Sequence, residues 1–198
     1  MISEQHALIQ AFLQQKAFPL SSQPVEPRLN KAGLVPYRIE DGHYTYYVMK
    51  PQGKEVEKLG EPPFQFGKGT RMFYTEAKGW QDIRSKETSD MLEPLVQTAL
   101  REGIEELGLI LQHIDQIVDL GPYGFSSATT GKPKYMYLFA AHMKDDAQFL
   151  PAQEVAVSTA ERRWMSLQEF AIAGRSDHKP ILESIEQKLK THHETHRA

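Results

Sequence analysis

The chain has no cysteine among its 198 residues, which removes disulfides, thiolate metal centres and cysteine nucleophiles together. Any metal must therefore be held by carboxylates, imidazoles or backbone oxygens. Long apolar runs are also missing. The best stretch, around 135–141, falls far short of the roughly 20 residues a membrane helix needs. The opening Met1-Ile2-Ser3-Glu4 lacks a basic segment followed by an apolar one. These absences point to a cytoplasmic protein with no membrane partner. No charge of one sign dominates either: Lys+Arg 23 against Asp+Glu 26 leaves a formal net charge of -3, which excludes a broad basic surface for coating nucleic acid. What is present is ordinary globular composition, 40% hydrophobic, 25% charged and 10% aromatic, and this excludes wholesale disorder, collagen and coiled coil. At about 150 residues per domain, the expectation is one domain over 31–198 behind an added segment, 1–30. A homodimer is compatible with this composition.

Ser3 predicts a capped helix running to about Lys16, with Leu8, Ala11 and Phe12 on its apolar side. Pro19, Pro24 and Pro27 then mark an extended connector. Two strand-like runs, 32–39 and 44–50, meet across Asp41-Gly42, a strong hairpin signal. Phe64-Gln65-Phe66 reads as a short strand entering Gly67-Lys68-Gly69-Thr70. No period is visible from Arg71 to Ser89, which reads as a polar insertion anchored by Trp80. A helix follows from about Asp90 to Leu107, closed by Gly108. Strands are expected at 116–120, 135–142 and 163–165. The segment 121–134 reads as a long loop whose Tyr123 and Phe125 either stack on a base or belong to a mobile connection. Ser166 and Glu169 have capping-box spacing, and Ile181, Leu182, Ile185 and Leu189 form the apolar side of a last helix. His192, His193 and His196 read as a frayed polar tail. The mixture predicts an α/β or α+β sandwich.

The chemistry concentrates in the segment from Glu93 to Leu109. At about 100° per residue, Val96, Ala99, Leu100, Gly103 and Leu107 fall on one apolar stripe that should pack on the sheet. Glu102, Glu105 and Glu106 lie beside it at i, i+3 and i+4. Carboxylates so close repel, unless a cation sits among them. Oxygen-only ligands on a rigid helix suit Mg²⁺ or Mn²⁺. Taken alone, the three glutamates equally describe a solvated helix face.

The wider pattern is more specific. Glu93, then seven residues, then Arg101-Glu102-x-x-Glu105-Glu106-x-Gly108-Leu109, resembles the Nudix hydrolase signature. That signature begins with glycine six positions before the first glutamate, where this chain has Glu87, and has a bulky apolar residue where this chain has Gly103. Gly67 or Gly69 is the candidate for the displaced glycine, and 71–89 for an insertion after it. The resemblance covers about 31–175. It implies an α/β/α sandwich with a mixed sheet, an N-terminal helix being added here. It also implies hydrolysis of a nucleoside diphosphate linked to another group: a dinucleoside polyphosphate, a nucleoside triphosphate, a nucleotide sugar such as ADP-ribose, or NADH. The metal carboxylates would be Glu102, Glu105 and Glu106, with Arg101 orienting them. Glu93 would either assist the metal shell or cap the helix with Asp90. Glu102, Glu105 and Glu161 are candidates for the general base, and Lys68, Arg71 and Glu161 for contacts to substrate. The other reading is a catalytically silent nucleotide-binding or sensor module, with the insertion as a partner surface.

Overall fold

The computed structural model describes residues 2–19, 29–51, 63–76, 78–82, 91–126, 131–151, 154 and 159–197. Strands β1 (Lys31–Glu40) and β2 (His43–Pro51) form the expected hairpin. Its turn places Asp41 and Gly42 at φ 51° and 79°, the double left-handed conformation of a type I′ turn. β3 (Gly67–Thr70) pairs antiparallel with β1. With β7 (Ile114–Ser126), β8 (Pro133–Met143) and β9 (Thr159–Ser166) they build one mixed sheet in the order β7-β8-β1-β2-β9, the β1–β8 pair being parallel.

β1 is buried on both faces from Ala32 to Tyr37, as a central strand covered on both sides must be. Ala32 and Leu34 face α1 (Ile2–Gln15) and α2 (Leu95–Glu102), packing with Ile9, Leu13, Val96, Ala99 and Leu100. Val35 and Tyr37 face the opposite way, toward α3 (Leu167–Ala173) and α4 (Lys179–Arg197), through Phe170, Ile181, Leu182, Ile185 and Leu189. The alternation along β1 thus separates two apolar cores, giving the predicted α/β/α layers. No helix among the described residues is long and apolar enough to cross a membrane.

Several local expectations change. Ser3 lies inside α1 instead of capping it. The buried stripe of α1 is His6, Ile9, Phe12 and Leu13, with Leu8 65% exposed, because the helix is rolled so that an imidazole enters the core. The expected polar insertion is partly a second sheet, β5-β4-β6, made of β4 (Met72–Thr75), β5 (Gly79–Asp82) and β6 (Met91–Leu92). Its strands are too short to show a period. The expected loop 121–134 is mostly strand, since β7 and β8 pair out to Ser126 and Pro133. The C-terminal histidines do not fray: α4 runs to Arg197, His193 Nε2 lies 2.9 Å from Tyr37 Oη, and His192 Nε2 lies 3.2 Å from Gln116 Nε2. Ser166 and Glu169 do form a reciprocal capping box at α3. The connector 20–28, and Asp90 and Glu87 before the acidic helix, fall outside the described residues.

Candidate active site

The acidic helix begins at Leu95, after Pro94, with no side-chain cap. Proline suits this position because it has no N–H to leave unpaired. After Glu102 the backbone continues as a π-helical turn, Gly103–Leu107, and ends at Gly108 with φ 72°. Such wide turns are frequent at functional sites. Glu105 and Glu106 project from this turn. Gly103 explains its own departure from the signature: a Cβ there would meet Leu34 of β1 at 2.9 Å, so glycine lets the turn lie directly on the central strand.

Arg101, 4% exposed, is the hub of the site. Its Nη1 donates to Glu102 Oε1 at 2.7 Å and Glu105 Oε2 at 3.0 Å, and its Nη2 to Thr70 O at 2.8 Å. Its Nε donates to Glu93 Oε1 at 3.1 Å, with Nη2 3.3 Å from Glu93 Oε2. One guanidinium thereby fixes two carboxylates of the acidic face against β3. Such charge-assisted forks are strong and directional. Burial alone would depress Arg101, but Glu93 foremost, with Glu102 and Glu105, keeps its guanidinium more firmly protonated than usual.

Glu93 is fully buried. Besides Arg101 it accepts from His6 Nε2 at 2.9 Å, Met72 N at 2.8 Å and Thr98 Oγ1 at 2.9 Å. Burial pushes this carboxyl up, yet the His6 hydrogen bond and the charge and hydrogen bonds of Arg101 outweigh it and hold the pKa below its ordinary value. Glu102 differs. Burial raises its pKa, the charge of Glu105 adds to that, and Arg101 offsets only part.

The glycine strand completes the cradle. Lys68 N donates to Glu106 Oε2 at 2.9 Å. A Cβ on Gly69 would fall 1.9 Å from the Glu102 carboxylate. Gly69 thus leaves the room the carboxylate occupies. The donor set is oxygen-only and short of positive charge, which fits a hard divalent cation. Among the described residues no three acids or imidazoles are grouped so that they could hold a metal ion by themselves, so water and substrate oxygens would have to supply much of the shell of an ion held here.

The candidate substrate residues separate. Lys68 Nζ bonds Gln65 Oε1 at 3.0 Å, sharing that oxygen with Arg175 Nη1 at 3.3 Å. Arg71 is turned inward, 6% exposed, its Nε donating to Glu93 O at 2.8 Å. Glu161 sits on β9 between Lys50 and Arg163, 3.6 Å from each, and has no bond to Arg101 among those described. The sequence reading missed His6 and Thr98. Thr98 follows Glu93 by little more than a helical turn and was open to discovery; His6, 87 positions away, carries no local signal.

A mixed sheet between helical layers, with a glutamate-rich helix locked by one arginine against a glycine strand, defines a Nudix-type fold. The NUDIX domain model matches residues 71–185, more than half of the chain, and the chain belongs to that family. Among solved structures it resembles an Ap4A hydrolase of C. elegans at 18% identity and TM-score 0.53, over 81% of this chain and 98% of the other. A NUDIX hydrolase of Listeria monocytogenes aligns at 20% identity and TM-score 0.51, over 86% and 97%. The NUDIX domain of Shewanella oneidensis NrtR, crystallised with ADP ribose, aligns at 16% identity and TM-score 0.53, over 88% and 98%. At these identities the likeness is one of fold. No curated protein matches.

Proposed function

We propose that the protein is a Mg²⁺- or Mn²⁺-dependent pyrophosphohydrolase that cleaves a nucleoside diphosphate linked to a second group. The observation that carries this reading is the Arg101 fork, which holds Glu102 and Glu105 together at 2.7 and 3.0 Å. The guanidinium offsets only part of the cost of burying Glu102 beside Glu105, and a divalent cation would offset the rest. Glu102, Glu105 and Glu106 would be the metal carboxylates. Glu93, saturated by protein donors, acts as the anchor of Arg101 and not as a ligand. Arg71 ties β4 to the start of α2, and Lys68 is the cation of the glycine strand best placed to meet phosphate oxygens. A bound divalent ion would neutralise diphosphate charge and lower the pKa of its water. The chain's own task is to keep three carboxylates aimed, and to align the diphosphate along Gly67–Thr70.

The solved structures it resembles include both an Ap4A hydrolase and a NUDIX domain crystallised with ADP ribose, so turnover and binding are the two readings to separate. The deciding experiment is product analysis over a panel of dinucleoside polyphosphates, nucleoside triphosphates, nucleotide sugars and NADH, with Mg²⁺ and with chelator, beside Glu105→Gln. Metal-dependent cleavage of one compound, reduced at least about 100-fold in the mutant, or about 3 kcal/mol in the transition state, supports the hydrolase. Tight binding with no cleavage would replace it with a sensor module.

A further inference from the structure

Two parts of the chain outside the acidic helix, the N-terminal helix and the inserted sheet, meet at one side chain. His6 is 2% exposed. Its ring stacks on Trp80 of β5 at 4.2 Å and 9°, and its Nε2 lies 2.9 Å from Glu93 Oε1. An ionised carboxylate only accepts, so His6 carries the proton on Nε2 and donates it. Glu93 grips Arg101, and Arg101 grips Glu102 and Glu105.

We propose that His6 is a positioning residue of the metal site: through Glu93 and Arg101 it sets where the Glu102 and Glu105 carboxylates lie, so that α1 is a working part of the site rather than an appendage. This rests on the reading of those carboxylates as metal ligands. Four kinds of donor converge on Glu93: His6 Nε2, Met72 N, Thr98 Oγ1 and the Arg101 guanidinium. His6 and Arg101 Nε share the same oxygen, Oε1. Removing the His6 donor hands that oxygen wholly to Arg101, draws the guanidinium toward Glu93, and loosens its fork on the acidic face. The stack on Trp80 fixes the plane of the imidazole, and the β4–β5 pairing, Tyr74 opposite Trp80, fixes Trp80. The register of the inserted sheet is thereby transmitted to the carboxylates.

Two substitutions separate the donor from the ring. His6→Phe keeps an aromatic ring against Trp80 and deletes the donor; His6→Gln places an amide N–H where Nε2 stood and deletes the ring. The readout is Mn²⁺ titration of the substrate-free protein, followed by electron paramagnetic resonance of the unbound ion, together with Tm. Disrupting partners behind metal ligands costs about 10–100-fold in metal affinity. With His6 removed from the ligands by two side chains, the expectation is about tenfold weaker Mn²⁺ binding in His6→Phe, with affinity restored to within about threefold in His6→Gln. At saturating metal the substrate KM should be unchanged in both.

Unchanged Mn²⁺ affinity in a folded His6→Phe would overturn the proposal. So would equal losses in both variants, which would assign the effect to the ring, or a parent protein that binds no Mn²⁺. If His6→Phe fails to fold, His6→Gln decides against Glu105→Gln as the reference for a damaged site: affinity as weak as that reference overturns the donor role, and affinity near the parent's supports it. Hydrolysis is scored separately, so a parent that binds Mn²⁺ in a His6-dependent way but cleaves nothing would sink the hydrolase reading alone.

Discussion

Replacing Gly69 by alanine tests the cradle with a single methyl group. The added Cβ would lie 1.9 Å from Cδ and Oε1 of Glu102 and 2.2 Å from Oε2. No carbon and oxygen in adjacent side chains approach so closely, so the carboxylate must leave its place and with it the 2.7 Å bond to Arg101. A hydrogen bond between charged groups contributes about 1.5–3 kcal/mol, and replacing a strand glycine by alanine returns about 0.5–1 kcal/mol. The net loss of stability is therefore about 1–2 kcal/mol, a fall in Tm of about 2–8 °C for a chain of this size. The loss of activity should be larger, about 100-fold or more, or about 2.7 kcal/mol in the transition state, because a displaced carboxylate no longer meets the ion. Gly67→Ala is the internal control. Its Cβ would meet Leu107 at 3.2 Å and Glu106 Oε2 at 3.4 Å, contacts relieved by shifts of a few tenths of an ångström, and turnover should stay within about fivefold. Steady-state product formation against Mg²⁺ concentration, with thermal unfolding of each variant, gives both readouts. Parental turnover in Gly69→Ala, or equal damage in Gly67→Ala, would refute the geometry of the cradle.

His178 is fully buried, stacked on Phe66 at 4.2 Å, and neither ring nitrogen has a hydrogen-bond partner among the described residues. Burial, helped by the charges of Lys68 and Arg175, pushes its pKa well below the usual value. The unfolded chain then binds a proton below about pH 6.5 that the native state refuses, so the parent loses about 1.4 kcal/mol per pH unit as pH falls below that point. His178→Phe should remove this loss as well as an unsatisfied-group penalty of about 1–3 kcal/mol. Its Tm should exceed the parent's, by a margin that widens from pH 7 to pH 5, and parallel curves would contradict the account. Trp80→Leu should lower Tm by a few degrees, since a stacked ring pair contributes about 0.5–1.5 kcal/mol beyond its area; an unchanged Tm would show that the β5-β4-β6 sheet does not hold α1. Arg71→Met should leave the substrate KM intact while lowering Tm, and a raised KM with unchanged Tm would return Arg71 to the substrate.

The parts legible in sequence were those encoded locally. The stripe Val96, Ala99, Leu100, Gly103 and Leu107 is buried as the helical period requires, Asp41-Gly42 turns the hairpin, and Ser166 with Glu169 caps α3. The acidic face and Arg101 were legible because their spacing is fixed by one helix. The role of Glu93 was not, because three of its partners come from α1, β4 and the interior of α2, and chain proximity says nothing about donors 87 and 21 positions away. The β4 and β5 strands, four residues each, were invisible for a different reason. A period of two needs more repeats than they contain, and their stability comes from packing against His6 and the start of α2 rather than from their own pattern.

The electrostatics divide the four glutamates into two kinds. Arg101 touches Glu93, Glu102 and Glu105, and Glu106 accepts from the backbone N–H of Lys68, so the donors of one guanidinium are divided among three carboxylates. They are not shared evenly. Glu93 takes the dense set of donors and its pKa falls, whereas Glu102, nearly as deep, is left with a raised one. A fold using these acids only for stability would satisfy Glu102 as fully as Glu93, because a charge out of water that is only partly compensated costs far more than a surface ion pair returns. Here the donors concentrate on the one glutamate that anchors the arginine, and the deficit is left on the face beside Gly69. Adding a cation at that face should therefore stabilise the protein more than adding a hydrogen-bond donor to Glu93. The sign is open to measurement: millimolar Mg²⁺ should raise the Tm of the parent, and should raise it distinctly less in Glu105→Gln, where one carboxylate of the acidic face is gone.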